Sequence, residues 1–325
     1  MKKLSIVLPM LLILLACTPV ETTSSLPDVA TEQTTITGTQ QYKVHQQLSL
    51  VNEGNGKPDK QNLWVALIRD LPPYQHVLSK KISPNRYTLV TDEYGNQYAE
   101  FDFSNQPAGT TITVDIEYKI VVNELIYDLS PCQGELPDDF TQPELHIESA
   151  NPQIQSLSKE LSKRKKTTCD QVRAFYDYAG DELIYTYNQN DWGAQATLGE
   201  MGSDCTEYAD LTIALSRAAG IPARYYEGLL YLENKTDDLA KTEHAWLDVY
   251  LPGTGWVAMD PTLGRTLVNR DTYFAHYTPN HIIVTMGRNP STLRGASYWT
   301  HLYWPGDRTV IHVRDTGWSI TPVEP

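Results

Sequence analysis

Gly202-Ser203-Asp204-Cys205-Thr206-Glu207-Tyr208-Ala209, running on to Arg217-Ala218-Ala219-Gly220-Ile221-Pro222-Ala223-Arg224, is the stretch on which the fold turns. Asp204 can cap a helix, and Glu207 stands at the reciprocal capping-box position. Tyr208, Leu211, Leu215 and Ala218 recur at helical spacing. Gly220 is a natural stop, followed by Pro222. Cys205 therefore falls in the first turn of a predicted buried helix. Backbone N–H groups there lack intrahelical acceptors and the dipole end is positive, which favours a thiolate. Position alone argues little, because Cys169 also lies near a predicted helix start and buried cysteines commonly do nothing but pack.

Working outward, His244 opens the segment His-Ala-Trp-Leu-Asp-Val-Tyr-Leu. Ala245, Leu247, Val249 and Leu251 alternate toward one face, and His244, Trp246, Asp248 and Tyr250 share the other. A turn at Pro252-Gly253-Thr254-Gly255 leads into Trp256-Val257-Ala258-Met259-Asp260, which predicts a hairpin. An odd loop puts His244 and Asp260 on one face of adjacent strands; an even loop separates them. On the odd register the carboxylate orients the imidazole, and the imidazole takes the thiol proton. Taken singly, His244 reads as an exposed strand residue and Asp260 as the start of an Asp-Pro turn.

The three segments together resemble the bacterial transglutaminase-like superfamily. The stretches around Cys205 and Gly220-Ile221-Pro222 are similar to its cysteine motif, and His244-Ala245-Trp246 and Gly255-Trp256-Val257-Ala258-Met259-Asp260-Pro261-Thr262 to its histidine and aspartate motifs. Ile184-Tyr185 and Ala196-Thr197-Leu198 fit the lead-in to the cysteine. The resemblance covers roughly residues 150–265. It implies a papain-like α+β core and acyl transfer through a Cys205–His244–Asp260 triad, on a protein or peptide substrate. An oxyanion hole is also implied, with the Cys205 N–H as one donor. Trp192 and Gln195 lie upstream as second donors, or simply as packing and loop residues.

Before this core the pattern has period two. Tyr42, Val44, Leu48 and Leu50 share one face, and Ile112, Val114, Ile116, Tyr118 and Ile120 another. Gly95-Asn96 marks a hairpin, with Ala99, Phe101 and Phe103 turned inward. These predict an antiparallel β-sandwich over residues 40–148, with His45 on its surface. Helices are expected from Asn151-Pro152, with an Ile154, Leu157, Leu161 stripe, and from Thr168, with Gln171 as capping-box partner. Residues 149–325 are then the catalytic domain, and 266–325 a C-terminal extension that completes the core sheet or walls the cleft. The fold class is thus α+β, a sandwich followed by a transglutaminase-like core.

Lys2 and Lys3 precede an apolar run from Leu4 to Ala16 that is too short to span a bilayer, and Leu14-Leu15-Ala16-Cys17 resembles a lipobox. The expectation is a signal peptide over residues 1–17, lipid on Cys17, a tether at 18–39, and a protein held to a bacterial cell envelope. Export permits disulfides. With Cys17 lipidated, three of the four cysteines remain, and the simplest partition pairs Cys132 with Cys169 and leaves Cys205 reduced. The net charge of −14 argues against a nucleic-acid partner, and Lys163-Arg164-Lys165-Lys166 reads as a solvated helix end. His276, His281, His301 and His312 lack metal-ligand spacing, so no metal and no cofactor is expected. Three function classes stay open: a hydrolytic amidase or peptidase, which is favoured; a transglutaminase transferring to amines; and a non-catalytic binding module, against which an intact triad argues.

Overall fold

The computed structural model describes residues 33–187, 192–199, 202–233, 242–290, 293 and 296–324. The expected signal peptide, Cys17 and the tether up to residue 32 lie outside the described residues. The chain lays down β1 (Thr34–Asn52), β2 (Lys60–Leu67), β3 (Gln75–Ser83), β4 (Thr88–Thr91), β5 (Gln97–Asp102) and β6 (Thr111–Tyr127). The helices α1 (Pro152–Ser162), α2 (Thr168–Glu182) and α3 (Cys205–Ala218) follow. Then come β7 (Ala223–Leu230), β8 (Glu243–Leu251), β9 (Gly255–Met259), β10 (His276–Tyr277), β11 (His281–Met286), β12 (Trp299–Trp304) and β13 (Ile311–Val323). The class is α+β, a sheet-rich N-terminal region joined to a core of helices on a sheet.

Two antiparallel sheets form the sheet-rich region. One is ordered β10-β6-β1-β13, with β3 also on β6; the other is ordered β12-β2-β5-β4. The period-two pattern does its work here: Tyr42, Val44, Leu48, Leu50, Val114, Ile116, Tyr118 and Ile120 are all buried, as are Ala99, Phe101 and Phe103. Burying one face of each strand also sets the register, since a one-residue slip would turn every apolar side chain outward. His45 is half-buried and bonds Asp115 Oδ2 at 2.7 Å.

The division of the chain differs from the sequence expectation in three places. Thr34–Thr39 is strand rather than tether, pairing with β6 as the first third of β1; its β-branched residues suit the ladder. The capping box of α2 is Thr167 with Asp170, one residue earlier than Thr168 with Gln171. The C-terminal extension does not stay with the catalytic domain. Its β11 completes the core sheet, but β12 pairs with β2 and β13 with β1. Pairing with β6 occupies one edge of β1 and leaves the other with a row of bare backbone groups, which β13 covers.

The core sheet is antiparallel, ordered β11-β7-β8-β9. Helix α3 lies against β7 and β8 and meets α1 and α2 on its other side. It is buried almost all round, and its buried hydroxyls are bonded within the helix: Thr212 and Ser216 each give a hydroxyl to the carbonyl four residues back, at 2.8 Å. Asn151 caps α1 with Pro152 at its first position, as the sequence predicts. Cys132 and Cys169 are disulfide-bonded, with Cα atoms 6.0 Å apart, tying the loop after β6 to the start of α2.

Two side-chain amides from the sheet-rich region seal the outer edge of β11. Gln75 donates to the Ile283 carbonyl at 2.9 Å and accepts from its N–H at 2.8 Å. Asn96 does the same for Met286, both at 2.8 Å. Each amide stands in for a peptide unit of a neighbouring strand, so an edge that would otherwise be open is satisfied. A buried ion pair adds a second tie. Arg224 on β7 grips Asp248 on β8 at 2.9 and 2.5 Å, lies 3.8 Å over the Trp256 ring, and Tyr74 and Tyr226 both donate to the same carboxylate.

Candidate active site

Asp204 and Glu207 form the capping box that the sequence predicts, and both carboxylates are spent on backbone N–H groups. Asp204 accepts from Thr206 N at 3.1 Å, and Glu207 accepts from Asp204 N at 2.9 Å and from Trp192 N at 3.0 Å. Cys205 is thereby fixed as the first residue of α3, half-buried and reduced.

His244 and Asp260 come together through the β8–β9 hairpin. Leu251 pairs with Gly255, so the loop has the odd count, residues 252–254. The pairing of Leu247 with Met259 and Asp248 with Ala258 carries Asp260 opposite Trp246, on the face that His244 shares. His244 Nε2 lies 2.7 Å from Asp260 Oδ2, with both side chains buried. The Cys205 side chain is among the groups that act on the His244 imidazole and raise its pKa. With Nε2 engaged by Asp260, Nδ1 is the ring nitrogen left for the thiol. The structure thus brings Cys205, His244 and Asp260 into one linked set.

Both faces of β8 are covered, since Ala245, Leu247 and Val249 are buried, and so are His244, Trp246 and Asp248. Trp246 stacks on His244, centroids 5.9 Å apart and planes inclined by 24°. Room for this comes from Gly228, which pairs with His244 across the ladder. A Cβ at Gly228 would sit 2.1 Å from the Ile282 carbonyl oxygen and 2.7 Å from the Trp246 ring.

Charges in the site oppose one another. Burial on its own would lower the His244 pKa, but the Asp260 charge and hydrogen bond, with the Cys205 side chain, raise it from 6.5 to about 10. Burial works against the Asp260 carboxylate too, yet the charge and hydrogen bond of His244 and the hydrogen bond of His281 hold it well below the usual carboxylate range. His244 is an imidazolium and Asp260 a carboxylate at neutral pH.

One member of the site escapes the sequence reading. His281, the first residue of β11, points Nε2 at Asp260 Oδ2 from 3.1 Å and is buried. Its sequence signal, a histidine opening the apolar run Ile282-Ile283-Val284, marks a buried strand but says nothing of which residue it will meet. His244, Asp260 and His281 also form the described group whose side-chain ligand atoms crowd together, within 4.8 Å. Both Nε2 atoms are already hydrogen-bonded to the carboxylate, so the trio reads first as a hydrogen-bond set. Trp192 is exposed and Gln195 lies on the surface with its N–H on Glu148. The remaining histidines are elsewhere, His276 against Glu124 and His312 beside Glu53.

Residues 155–261 match the transglutaminase-like superfamily. The chain carries a transglutaminase-like core. The match ends one residue past Asp260 and takes in Cys205 and His244. The uncharacterized protein YebA of Bacillus subtilis is 29% identical over 166 residues, which is 46% of this chain and 21% of that protein. The alignment therefore spans about a fifth of that relative's length. The crystal structure of a candidate cysteine protease from Cytophaga hutchinsonii covers 90% of this chain and 93% of its own, with a TM-score of 0.65 at 17% identity. That likeness extends the shared fold from the transglutaminase-like core to the sheet-rich region. The periplasmic domain of TgpA from Pseudomonas aeruginosa aligns over 74% of this chain, with a TM-score of 0.34 and 16% identity.

Proposed function

We propose that the protein is a cysteine-dependent acyl-transfer enzyme that cleaves amide or peptide bonds, with Cys205 as nucleophile, His244 as proton carrier and Asp260 as its orienting group. The observation that supports this above all is the buried His244–Asp260 pair at 2.7 Å, with the Cys205 side chain acting on the same imidazole from the start of α3. The imidazolium is placed to neutralise a thiolate on Cys205. Sulfur attacks the amide carbonyl, and the Cys205 N–H, which has no intrahelical acceptor at the first position of α3, donates to the oxyanion. His244 gives its proton to the departing amine as the C–N bond breaks, leaving a thioester. Water then attacks, His244 takes its proton, and the acid and the thiol are released. Hydrolysis is the favoured outcome; an amine in place of water gives transfer from the same thioester. Envelope anchoring through lipid on Cys17 belongs to the same proposal and is tested by fatty-acid labelling of wild-type and Cys17→Ser protein.

The deciding experiment is mass spectrometry of products from a peptide library, with and without added amine. Cleaved or deamidated peptides support hydrolysis, and amine-conjugated peptides support transfer. No product from either set, with the Cys205 thiol shown to be free, overturns the enzymatic reading in favour of a binding role.

A further inference from the structure

Asp260 is held by four donors, and only one of them, His244, belongs to the proposed triad. Oδ1 accepts from the backbone N–H groups of Thr262 and Leu263, both at 2.9 Å, and Oδ2 accepts from His244. The fourth approach is His281 Nε2. Since the carboxylate is ionised, it has no proton to give, and the contact is favourable only if Nε2 carries a hydrogen.

The far side of the ring is held by a second set of polar groups. Asn280 Nδ2 donates to the Tyr231 carbonyl at 3.0 Å, which fixes its Oδ1 as an acceptor facing Thr278 Oγ1 at 2.6 Å and His281 Nδ1 at 3.1 Å. Thr278 Oγ1 is 2.9 Å from Nδ1 and has a single proton. That proton goes to Asn280 Oδ1, so Nδ1 faces oxygens on this side. Nε2 faces the ionised carboxylate, a contact that only an N–H satisfies. Burial lowers the His281 pKa, and the hydrogen bond and charge of Asp260 oppose the fall.

The ring is also mechanically fixed. Tyr277 donates to the His281 carbonyl at 2.7 Å, and Trp246 meets the imidazole edge-on at 4.9 Å. The groups facing it are Asp260, His244, Tyr273 and Tyr277. Trp246 thus stacks on one histidine and abuts the other, with the carboxylate between them.

We propose that His281 is a positioning residue for the triad: its Nε2–H holds Asp260 Oδ2 in the orientation that presents the carboxylate to His244. The proposal rests on the triad reading, and the test separates the two. His281→Gln keeps an N–H donor of similar reach; His281→Met keeps the bulk without a donor. The readout is the rate of Cys205 alkylation by iodoacetamide from pH 5 to 10, with the melting temperature measured in parallel. His281→Met is expected to slow alkylation at pH 7 by about tenfold and to displace the pH profile, and His281→Gln to stay within about threefold of wild type, in line with the effect of removing groups that orient a site's ligands. Equal rates and profiles for His281→Met and wild type overturn the proposal, and so does equal slowing in both variants. His244→Ala is the control for the triad: a wild-type profile in that variant removes the triad and the role of His281 with it. A second measurement needs no variant to fold. In wild-type protein with ¹⁵N-labelled histidine, the His281 ring is expected to carry its proton on Nε2, and a bare Nε2 overturns the assignment.

Discussion

Asp260→Asn tests the electrostatics of the site most directly. In the wild type, Oδ1 accepts two backbone N–H bonds at 2.9 Å, an arrangement only an oxygen can satisfy. The asparagine carbonyl must therefore take that place and put its NH₂ where Oδ2 was, facing His244 Nε2 and His281 Nε2. Donor then meets donor. His244 escapes by presenting a bare Nε2 and moving its hydrogen to Nδ1, the side that should be free to take a thiol proton. The charge goes as well. A rise in the His244 pKa from 6.5 to about 10 corresponds to something of the order of 5 kcal/mol in favour of the imidazolium. Without Asp260 only the Cys205 side chain opposes the effect of burial, and the His244 pKa falls. We expect kcat/KM to fall by about 10³-fold or more, and the alkaline break in Cys205 alkylation to move from near 10 to lower pH. Stability follows the same signs. The raised His244 pKa contributes stability that is complete below 6.5 and lost as pH rises to about 10; the lowered Asp260 pKa contributes above 3.8 and is lost as pH falls. Urea melts of wild type and variant should thus differ most between about pH 4 and 6.5 and converge toward pH 10. A variant that keeps its alkaline break near 10, or stays within about tenfold of wild-type kcat/KM, refutes the reasoning.

Cys205→Ala should abolish turnover and leave the melting temperature close to wild type, because the half-buried thiol is a small part of the packing; circular dichroism and a peptide-cleavage assay check both halves. Replacing Cys132 and Cys169 by alanine opens a loop with a sequence separation of 37 and should cost about 4 kcal/mol in urea unfolding under non-reducing conditions on the chain-entropy model. Arg224→Ala strands the Asp248 carboxylate, which is fully buried, and should destabilise by about 3–5 kcal/mol in thermal or urea melts.

What was legible in the sequence was what short-range chemistry dictates. The capping box at Asp204 and Glu207 places Cys205, and the hairpin places Asp260 beside His244 once its loop count is known; both signals lie within a few residues of the atoms they position. The period-two runs of β1 and β6 announce themselves in the same way. Three things were illegible for one reason. His281 reaches Asp260 across 21 residues of chain, β13 reaches β1 from the far end of the sequence, and the Gln75 and Asn96 amides reach β11 from the other region. In each case the local pattern shows that a strand or a polar residue is present, and only the closed fold says what it meets. The one-residue error at the start of α2 has another origin: Thr167 and Thr168 are equally good caps by type, and the choice falls to the residue whose partner, Asp170, can answer three positions on.

These long-range contacts converge on a single strand. β11 is the edge of the core sheet, and an edge strand frays unless its bare backbone groups are met. Gln75 and Asn96 meet them from the sheet-rich region, at Ile283 and Met286. His281 stands at the head of the same strand, with its own carbonyl held by Tyr277 and its neighbour Asn280 bonded to Tyr231. The sheet-rich region is in turn closed by strands from the C-terminal end of the chain, β12 on β2 and β13 on β1. The order of Asp260 therefore depends on residues that no motif contains. A carboxylate that must orient an imidazole tolerates little rotation, and here each of its four donors is anchored separately: two on the turn after β9, one on β8, one on a strand pinned by the other region. On this geometry the sheet-rich region is part of what keeps Asp260 and His244 in register, and a core cut free of it would retain Cys205, His244 and Asp260 while losing the support under His281.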